Sequence, residues 1–329
     1  MKKLLLKNTS YQYLERSFKE WLDVQGYAES TVYGLPIYVR ELLYYLETLG
    51  VHQIQLLKPK HIKRHYQKLS NRSNQRQGGG LSNSYLNKHI QAIRKFTEYL
   101  RKVNRLRLPE TKLSNESATQ KIDYLTLSEV QALLTATYEK PMTLYHMSWT
   151  IYQAIQSRDR AMLAIFYGCG LRRNEGVHID VADINFERSM LHVRKGKNYK
   201  QRFVPINKSS LNYLADYVYG HRPQLLKGND NGALFITYAT SKRMLGQSLQ
   251  VRLKKLLEQS NNLSGNLSRL TEGNIGISLH TLRHSIATHL LAAGMKLENI
   301  SKFLGHSSLE STQIYTHLVN RRVNKPKEL

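Results

Sequence analysis

The sequence predicts a mainly α protein with a small β-sheet, built as two domains. Three observations carry this. Apolar residues recur at helical spacing through the first hundred residues, a short alternating segment with a basic tip follows later, and a polar stretch without apolar period separates the two regions. The expected division is a helical domain over residues 1–107, a linker over 108–122 and a second domain over 123–329.

The first helix is expected over Tyr11–Gln25, where Leu14, Phe18, Trp21 and Leu22 fall close to a 3.6 repeat. Ser30-Thr31 offers an N-cap for a second helix through Leu49, with Gly50 as its stop and Pro36 pushing its start a few residues later. Pro59–Leu69 reads as a third helix. After a loop ending in three glycines, Ser82 or Ser84 caps a fourth to about Val103, with Ile90, Ile93, Phe96, Tyr99 and Leu100 on one face. The stretch Leu108–Lys121, with Pro109, Ser114 and Ser117, reads as the linker. Beyond it, Thr126 or Ser128 caps a helix and Arg158–Gly168 forms a buried one. Residues 190–206 alternate, turn at Lys195-Gly-Lys-Asn and return through Arg202-Phe-Val-Pro-Ile, as a β-hairpin does. From Leu279 the chain is expected to be helical to its end. Residues 137–156, containing Tyr145, Trp149 and Tyr152, read as an insertion.

The chain of 329 residues has 49 Lys+Arg against 24 Asp+Glu, a formal net charge of +25. Residues 1–122 hold 22 basic and 9 acidic side chains and residues 123–329 hold 27 and 15, so the excess sits on both halves rather than in a tail. A polyanionic partner follows; by charge alone it is DNA, RNA, ribosomes or anionic membrane. On the first domain the candidate phosphate contacts are Lys60, Lys63, Arg64, Lys88, Arg94 and Lys95. The single cysteine, Cys169, lies in an apolar run, which excludes an internal disulfide and a thiolate metal cluster. No apolar stretch reaches ~20 residues and the first residues are too briefly apolar for a signal peptide, so a reduced, cytoplasmic setting without membrane is expected.

Four separated pieces set unusual polar residues beside apolar helices: Gly168-Cys-Gly-Leu-Arg172-Arg-Asn-Glu175, the hairpin tip with Lys195, His280-Thr-Leu-Arg283, and Leu304-Gly-His306 through Tyr315-Thr-His. His280 and Arg283, three apart on a helix, share a face away from the stripe of Leu282, Ile286, Leu290 and Ala293. Gly305 leaves His306 at a helix exit, and Ser307 or Ser308 caps the helix carrying Tyr315, anchored by Ile314 and Leu318. Two arginines, two histidines, a lysine and a tyrosine suit phosphoryl transfer without a metal. Guanidinium groups meet the nonbridging oxygens with charge-assisted hydrogen bonds. A phenol oxygen attacks, and an ammonium protonates the leaving oxygen. No carboxylate cluster of magnesium-ligand character is visible, which speaks against a two-metal nuclease. Singly, each piece reads equally as a salt-bridged arginine, a structural histidine, a solvated basic turn or one of 21 tyrosines in packing. Their joint order is what distinguishes them.

At these residues the sequence resembles the tyrosine recombinase (phage-type integrase) family, Xer-like in layout. Gly170-Leu-Arg172-Arg-Asn-Glu175 matches the first arginine box, His280-Thr-Leu-Arg283-His-Ser the His-x-x-Arg box, and Leu304-Gly-His306-Ser-Ser with Thr312-Gln-Ile-Tyr315-Thr-His the closing box. The resemblance covers about Tyr124 to Leu318 and makes the second domain the catalytic one. The first is similar in size and character to the family's core-binding domain. It implies that Arg172 and Arg283 hold the scissile phosphate, that Lys195 is the general acid, and that His280 assists proton transfer at the tyrosine. It further implies that His306 hydrogen-bonds the phosphate, Tyr315 forms a 3′-phosphotyrosyl bond, and Glu175 orients Arg172. Arg173 competes with Arg172, and Lys197 and Lys200, otherwise DNA contacts, compete with Lys195. The implied partners are duplex DNA clamped between the domains, a homotetramer on paired sites, and accessory proteins. No metal, ATP or other cofactor is implied. Mobile-element integration or excision and multimer resolution use the same catalytic domain. An inactive DNA-binding member and a type IB topoisomerase stand as alternatives.

Overall fold

The computed structural model describes residues 4–74, 78–103, 113–115, 123–139, 148–194, 201–226, 228, 230–264, 277–306, 310–313 and 315–316. The chain divides into two units, Met1–Gln120 and Lys121–Leu329.

The first unit is helical. Helix α1 (Thr9–Val24) is capped by Asn8, whose side chain accepts from the Tyr11 N–H. Helix α2 spans Glu29–Thr48 and contains Pro36. The expected cap at Ser30-Thr31 and the later start are therefore corrected: both residues lie inside the first turn. Val32, Leu35, Pro36 and Val39 are all buried on this helix, and their packing outweighs the missing proline N–H. Helices α3 (Pro59–Ser70) and α4 (Asn83–Lys102) complete the unit, α4 capped by Ser82. The core is aromatic at its centre, where Phe18 meets Phe96 edge-on at 5.3 Å between ring centroids and Tyr99 at 5.6 Å. Most of the expected linker lies outside the described residues. Leu113 within it is buried against this core, and Arg94 donates to its carbonyl.

In the second unit, α5 (Leu127–Ala136) opens with a capping box of Thr126 and Glu129. Helix α6 (Trp149–Leu163) begins earlier than Arg158, with Trp149 and Tyr152 in its first turn. Ser148 caps this helix, and residues 140–147 lie outside the described residues. A wider π turn, Ala164–Gly168, continues it and feeds the loop to α7 (Arg173–Val177). Strands β1 (Ile184–Asn185), β2 (Met190–Val193) and β3 (Arg202–Pro205) form an antiparallel sheet in that order, with Val193 opposite Arg202. The hairpin is thus joined by a third strand, which the sequence reading omitted. Its tip, with Lys195, Lys197 and Lys200, lies outside the described residues.

Helices α8 (Lys208–Ala215), α9 (Arg222–Leu225) and α10 (Gly246–Ser264) follow. Then come α11 (Leu279–Ala292), α12 (Leu297–Leu304) and the short α13 (Glu310–Gln313). The expected stripe on α11 is corrected at Ala293, which is exposed just past the helix. Leu279, Leu282, Arg283, Ser285, Ala287 and Thr288 are buried instead, so the helix buries a polar flank as well as an apolar one. Ser307, Ser308, Ile314 and Leu318 lie outside the described residues. Among the described residues no helix is long and apolar enough to cross a membrane.

Candidate active site

The site is built around the C-terminal end of α12. This helix stops because Gly305 takes a left-handed backbone, φ 65°. A helix end leaves carbonyls without intrahelical partners and carries partial negative charge. Three successive carbonyls here each accept from a different arginine. Phe303 O takes Arg202 Nε at 3.3 Å, Leu304 O takes Arg283 Nη2 at 2.8 Å, and Gly305 O takes Arg172 Nη2 at 3.0 Å.

Glu175 lies beneath the same three guanidinium groups. It is 3% exposed and serves as their shared counter-ion. Arg172 Nη1 donates to it at 2.8 Å, Arg202 donates through Nη1 and Nη2 at 3.0 Å each, and Arg283 Nη1 stands 3.8 Å away. The Arg172 N–H also donates to its carboxylate at 2.9 Å, closing a capping box at the start of α7. Burial opposes ionisation, yet the hydrogen bonds and charge of Arg202 and then of Arg172 hold the Glu175 carboxyl below its ordinary range. One carboxylate among three guanidinium groups leaves an excess of positive charge. Arg283 is the floor of the site, 1% exposed, with Nη1 also donating to Gly170 O at 2.7 Å. Burial, then the charge of Arg172, pushes its pKa down to about 9, so it stays cationic at neutral pH. Arg172 keeps 24% of its side chain exposed to solvent.

Gly170 makes this geometry possible. Its φ is 60°, and a Cβ there would meet Leu304 Cδ2 at 2.9 Å. The loop before Arg172 therefore packs directly on the end of α12.

Tyr315 is 1% exposed and packs with Ala287, Ile300 and Leu304. Its hydroxyl lies 2.9 Å from His284 Nδ1. Burial raises its pKa, and Arg283 and Arg172 oppose that rise. The His306 ring lies nearly parallel to the Tyr315 ring, 14° between planes and 6.4 Å between centroids. His306 Nδ1 is 2.8 Å from Thr312 Oγ1, so a buried threonine on α13 fixes that imidazole. Burial, then Arg283 and Arg172, push the His306 pKa down to about 4. His280 is exposed, and loss of hydration with the charges of Arg283 and Arg172 lowers its pKa too. Its ring meets His284 edge-on, 4.4 Å between centroids. Neutral imidazoles beside a cationic floor suit hydrogen bonding to an anion or acceptance of a proton.

The structure thus brings Arg172, Glu175, His280, Arg283, His306 and Tyr315 into one cluster. Arg173 turns elsewhere, its side chain against Gly246. Three residues of the cluster escaped the sequence reading: Arg202, His284 and Thr312. His284 follows Arg283 directly and could have been found by its one-turn spacing from His280. Nothing local marks Arg202, whose partner Glu175 is 27 residues away. Arg194, at the other end of the hairpin tip, is paired with Asp180 and with Asp183 at 2.6 Å. Arg194 and Arg202 are therefore both held by ion pairs. On the first unit, Lys60, Lys63, Arg64, Lys88 and Arg94 are exposed, whereas Lys95 is half-buried and donates to Glu98 at 2.8 Å. Ser84, Asn87, Lys88, Gln91, Arg94 and Lys95 of α4 border a depression of about 470 Å³ with Asn115. Among the described residues no group of three His, Cys, Asp or Glu side chains gathers as a metal site.

Comparison with known proteins identifies the family. The model of the phage integrase family matches residues 123–322. The chain is 33% identical to tyrosine recombinase XerD of Staphylococcus epidermidis over 249 residues, 75% of this chain and 76% of that protein. It is 39% identical to tyrosine recombinase XerC of Chlamydia caviae over 161 residues, 49% and 47% of the two chains. Among solved structures, the XerH site-specific recombinase bound to a palindromic difH substrate, in a post-cleavage complex, aligns with a TM-score of 0.67 at 20% identity, covering 95% of this chain and 82% of that one. The Tn1549 transposon integrase in complex with a circular intermediate DNA aligns at 0.66 and 16%, covering 92% and 94%. At these identities the structural likeness speaks for the fold.

Proposed function

The chain belongs to the phage integrase family, as a site-specific tyrosine recombinase that cleaves and rejoins DNA through a phosphotyrosyl intermediate, and on that premise we propose that Tyr315 is its nucleophile. The observation that carries this assignment is the convergence of Arg172, Arg283, His306 and Tyr315 on the end of α12.

In this reading Arg172 and Arg283 bind the two nonbridging oxygens of the scissile phosphate. A guanidinium has five N–H donors, so the bonds to backbone carbonyls fix each plane without exhausting it. The excess positive charge opposes the charge that grows as the phenol oxygen attacks, and one such preorganised donor is worth ~3–4 kcal/mol. His306 donates a further hydrogen bond through Nε2, its Nδ1 being engaged by Thr312. Glu175 holds the arginines in register. His280 assists proton transfer at the tyrosine. Lys195 protonates the 5′ oxygen.

The products are a 3′-phosphotyrosyl bond and a free 5′ hydroxyl. Bond energy stays in the adduct, so rejoining needs neither ATP nor metal. Lys60, Lys63, Arg64, Lys88, Arg94 and Lys95 on the first unit, with Lys197 and Lys200 on the hairpin, contact DNA phosphates. Exchange proceeds stepwise in a tetramer on paired sites, with accessory proteins as further partners, for mobile-element integration or excision or for multimer resolution.

A nicked suicide duplex, which traps the covalent intermediate, tests the assignment. The wild type gives a denaturant-stable protein–DNA adduct. Tyr315→Phe binds the duplex and gives none. An adduct formed by Tyr315→Phe overturns the nucleophile.

A further inference from the structure

A buried phenol cannot be deprotonated by bulk water, so the group beside its oxygen decides how the nucleophile forms. At Tyr315 that group is the His284 imidazole, Nδ1 at 2.9 Å from Oη, with 5.6 Å between ring centroids. His280, one turn earlier on α11, meets the same ring edge-on. We propose that His284 is a catalytic residue: its Nδ1 accepts the hydroxyl proton of Tyr315 as the phenol oxygen attacks the phosphorus. The inference rests on the assignment of Tyr315 as nucleophile and deepens it by naming the base.

The surroundings of His284 suit that task. The groups that face it are His280 and Arg283 from its own helix, His306 from the exit of α12, and the Tyr315 hydroxyl. Burial, then His280, Arg283 and His306, push its pKa down to about 3, so the ring is neutral at physiological pH. Of a phenol and a neutral imidazole the phenol is the stronger acid, so its O–H donates and Nδ1 accepts. In the empty site burial, with the charge of Arg283 beside it, makes His284 a weak base, and Tyr315 stays protonated. A phosphodiester held by Arg172 and Arg283 brings negative charge beside them, which favours an imidazolium. The base therefore strengthens only when DNA is in place.

The step balances. The O–H bond of Tyr315 breaks and its proton moves to Nδ1. The bond from Oη to phosphorus forms while phosphorus releases the 5′ oxygen, which takes a proton from Lys195. Rejoining reverses each transfer. The assistance assigned to His280 then acts through the His284 ring.

The test is single-turnover cleavage of the suicide duplex by the full chain. His284→Asn places an amide oxygen near the position of Nδ1, which keeps a hydrogen-bond acceptor but takes no proton. Cleavage is expected to slow by ~10²-fold with DNA binding unchanged. The variant's rate should also climb by about tenfold per pH unit between roughly pH 7 and 9, following the phenolate fraction, while the wild type stays flat. A substrate with sulfur in place of the bridging 5′ oxygen, a better leaving group, should restore Lys195→Ala but leave His284→Asn slow. Cleavage by His284→Asn within about threefold of wild type at unchanged pH profile overturns the proposal, as does restoration of His284→Asn by the sulfur substrate. His284→Gln stands in should His284→Asn fail to bind DNA, judged by the same outcomes. An adduct formed by Tyr315→Phe would instead remove the nucleophile assignment beneath it, so the two failures are told apart.

Discussion

Arg202 and Glu175 face each other through two parallel hydrogen bonds of 3.0 Å, joining strand β3 to the start of α7. The same carboxylate holds Arg172, so the hairpin and the first arginine box share one buried anchor. Arg202 is a positioning residue here: it acts through Glu175 and through the Phe303 carbonyl.

Arg202→Ala leaves Glu175 buried with fewer partners and frees the return strand of the hairpin. Removing one member of a buried pair costs ~3–5 kcal/mol. Denaturant unfolding should show a loss at the upper end of single-substitution effects. Cleavage should fall while Tyr315 remains the attachment point, and Arg202→Lys should recover less than half of the stability, because an ammonium cannot make the paired contact.

Acid should weaken the second unit in two windows. His284 and His306 have folded pKa values lowered to about 3 and about 4. The unfolded chain binds their protons first, so stability falls as pH drops below the ordinary histidine value of about 6.5 and keeps falling toward the folded values. Glu175 is a depressed carboxyl, and its contribution is full above the ordinary value of about 4.3 and is lost as pH falls through its lower folded value. Thermal melts of the full chain across pH should show both slopes. Glu175→Gln should flatten the lower one while lowering the melting temperature at neutral pH.

Gly305→Ala should injure stability and catalysis together. Its φ of 65° is costly for a residue with a Cβ, and that atom would meet Arg202 Cδ at 2.8 Å. The backbone alone costs ~1–2 kcal/mol. Chemical denaturation should show at least that loss, with slower adduct formation because Arg202 must move.

Thr312→Val keeps the shape of a buried side chain but removes the hydroxyl 2.8 Å from His306 Nδ1. With the imidazole no longer fixed, the cleavage rate should drop by roughly tenfold, the worth of one hydrogen bond of ~1–1.5 kcal/mol. Unchanged kinetics would mean that His306 is held by other means.

Much of this was legible in the sequence. Helix spacing located α1, α3 and α4, alternation located the hairpin, and the order of polar boxes located six of the side chains that gather at α12. What escaped depended on tertiary packing. The start of α2 at Glu29, ahead of Pro36, follows from burial of Val32 and Leu35 against neighbouring helices, which no cap signal records. In the sequence Arg202 only opens the returning strand of the hairpin, with no role of its own. Its role appears only when β3 lies beside Glu175, at a separation of 27 residues. His284 was hidden by its neighbour: Arg283 carried the recognisable spacing, while the histidine after it took the tyrosine hydroxyl.

The most direct measurement is mass spectrometry of the trapped adduct after digestion with nuclease and trypsin. A nucleotide remnant on Tyr315 is the expected result. A remnant on any other residue, Tyr167 or a serine for instance, would contradict the account at its centre.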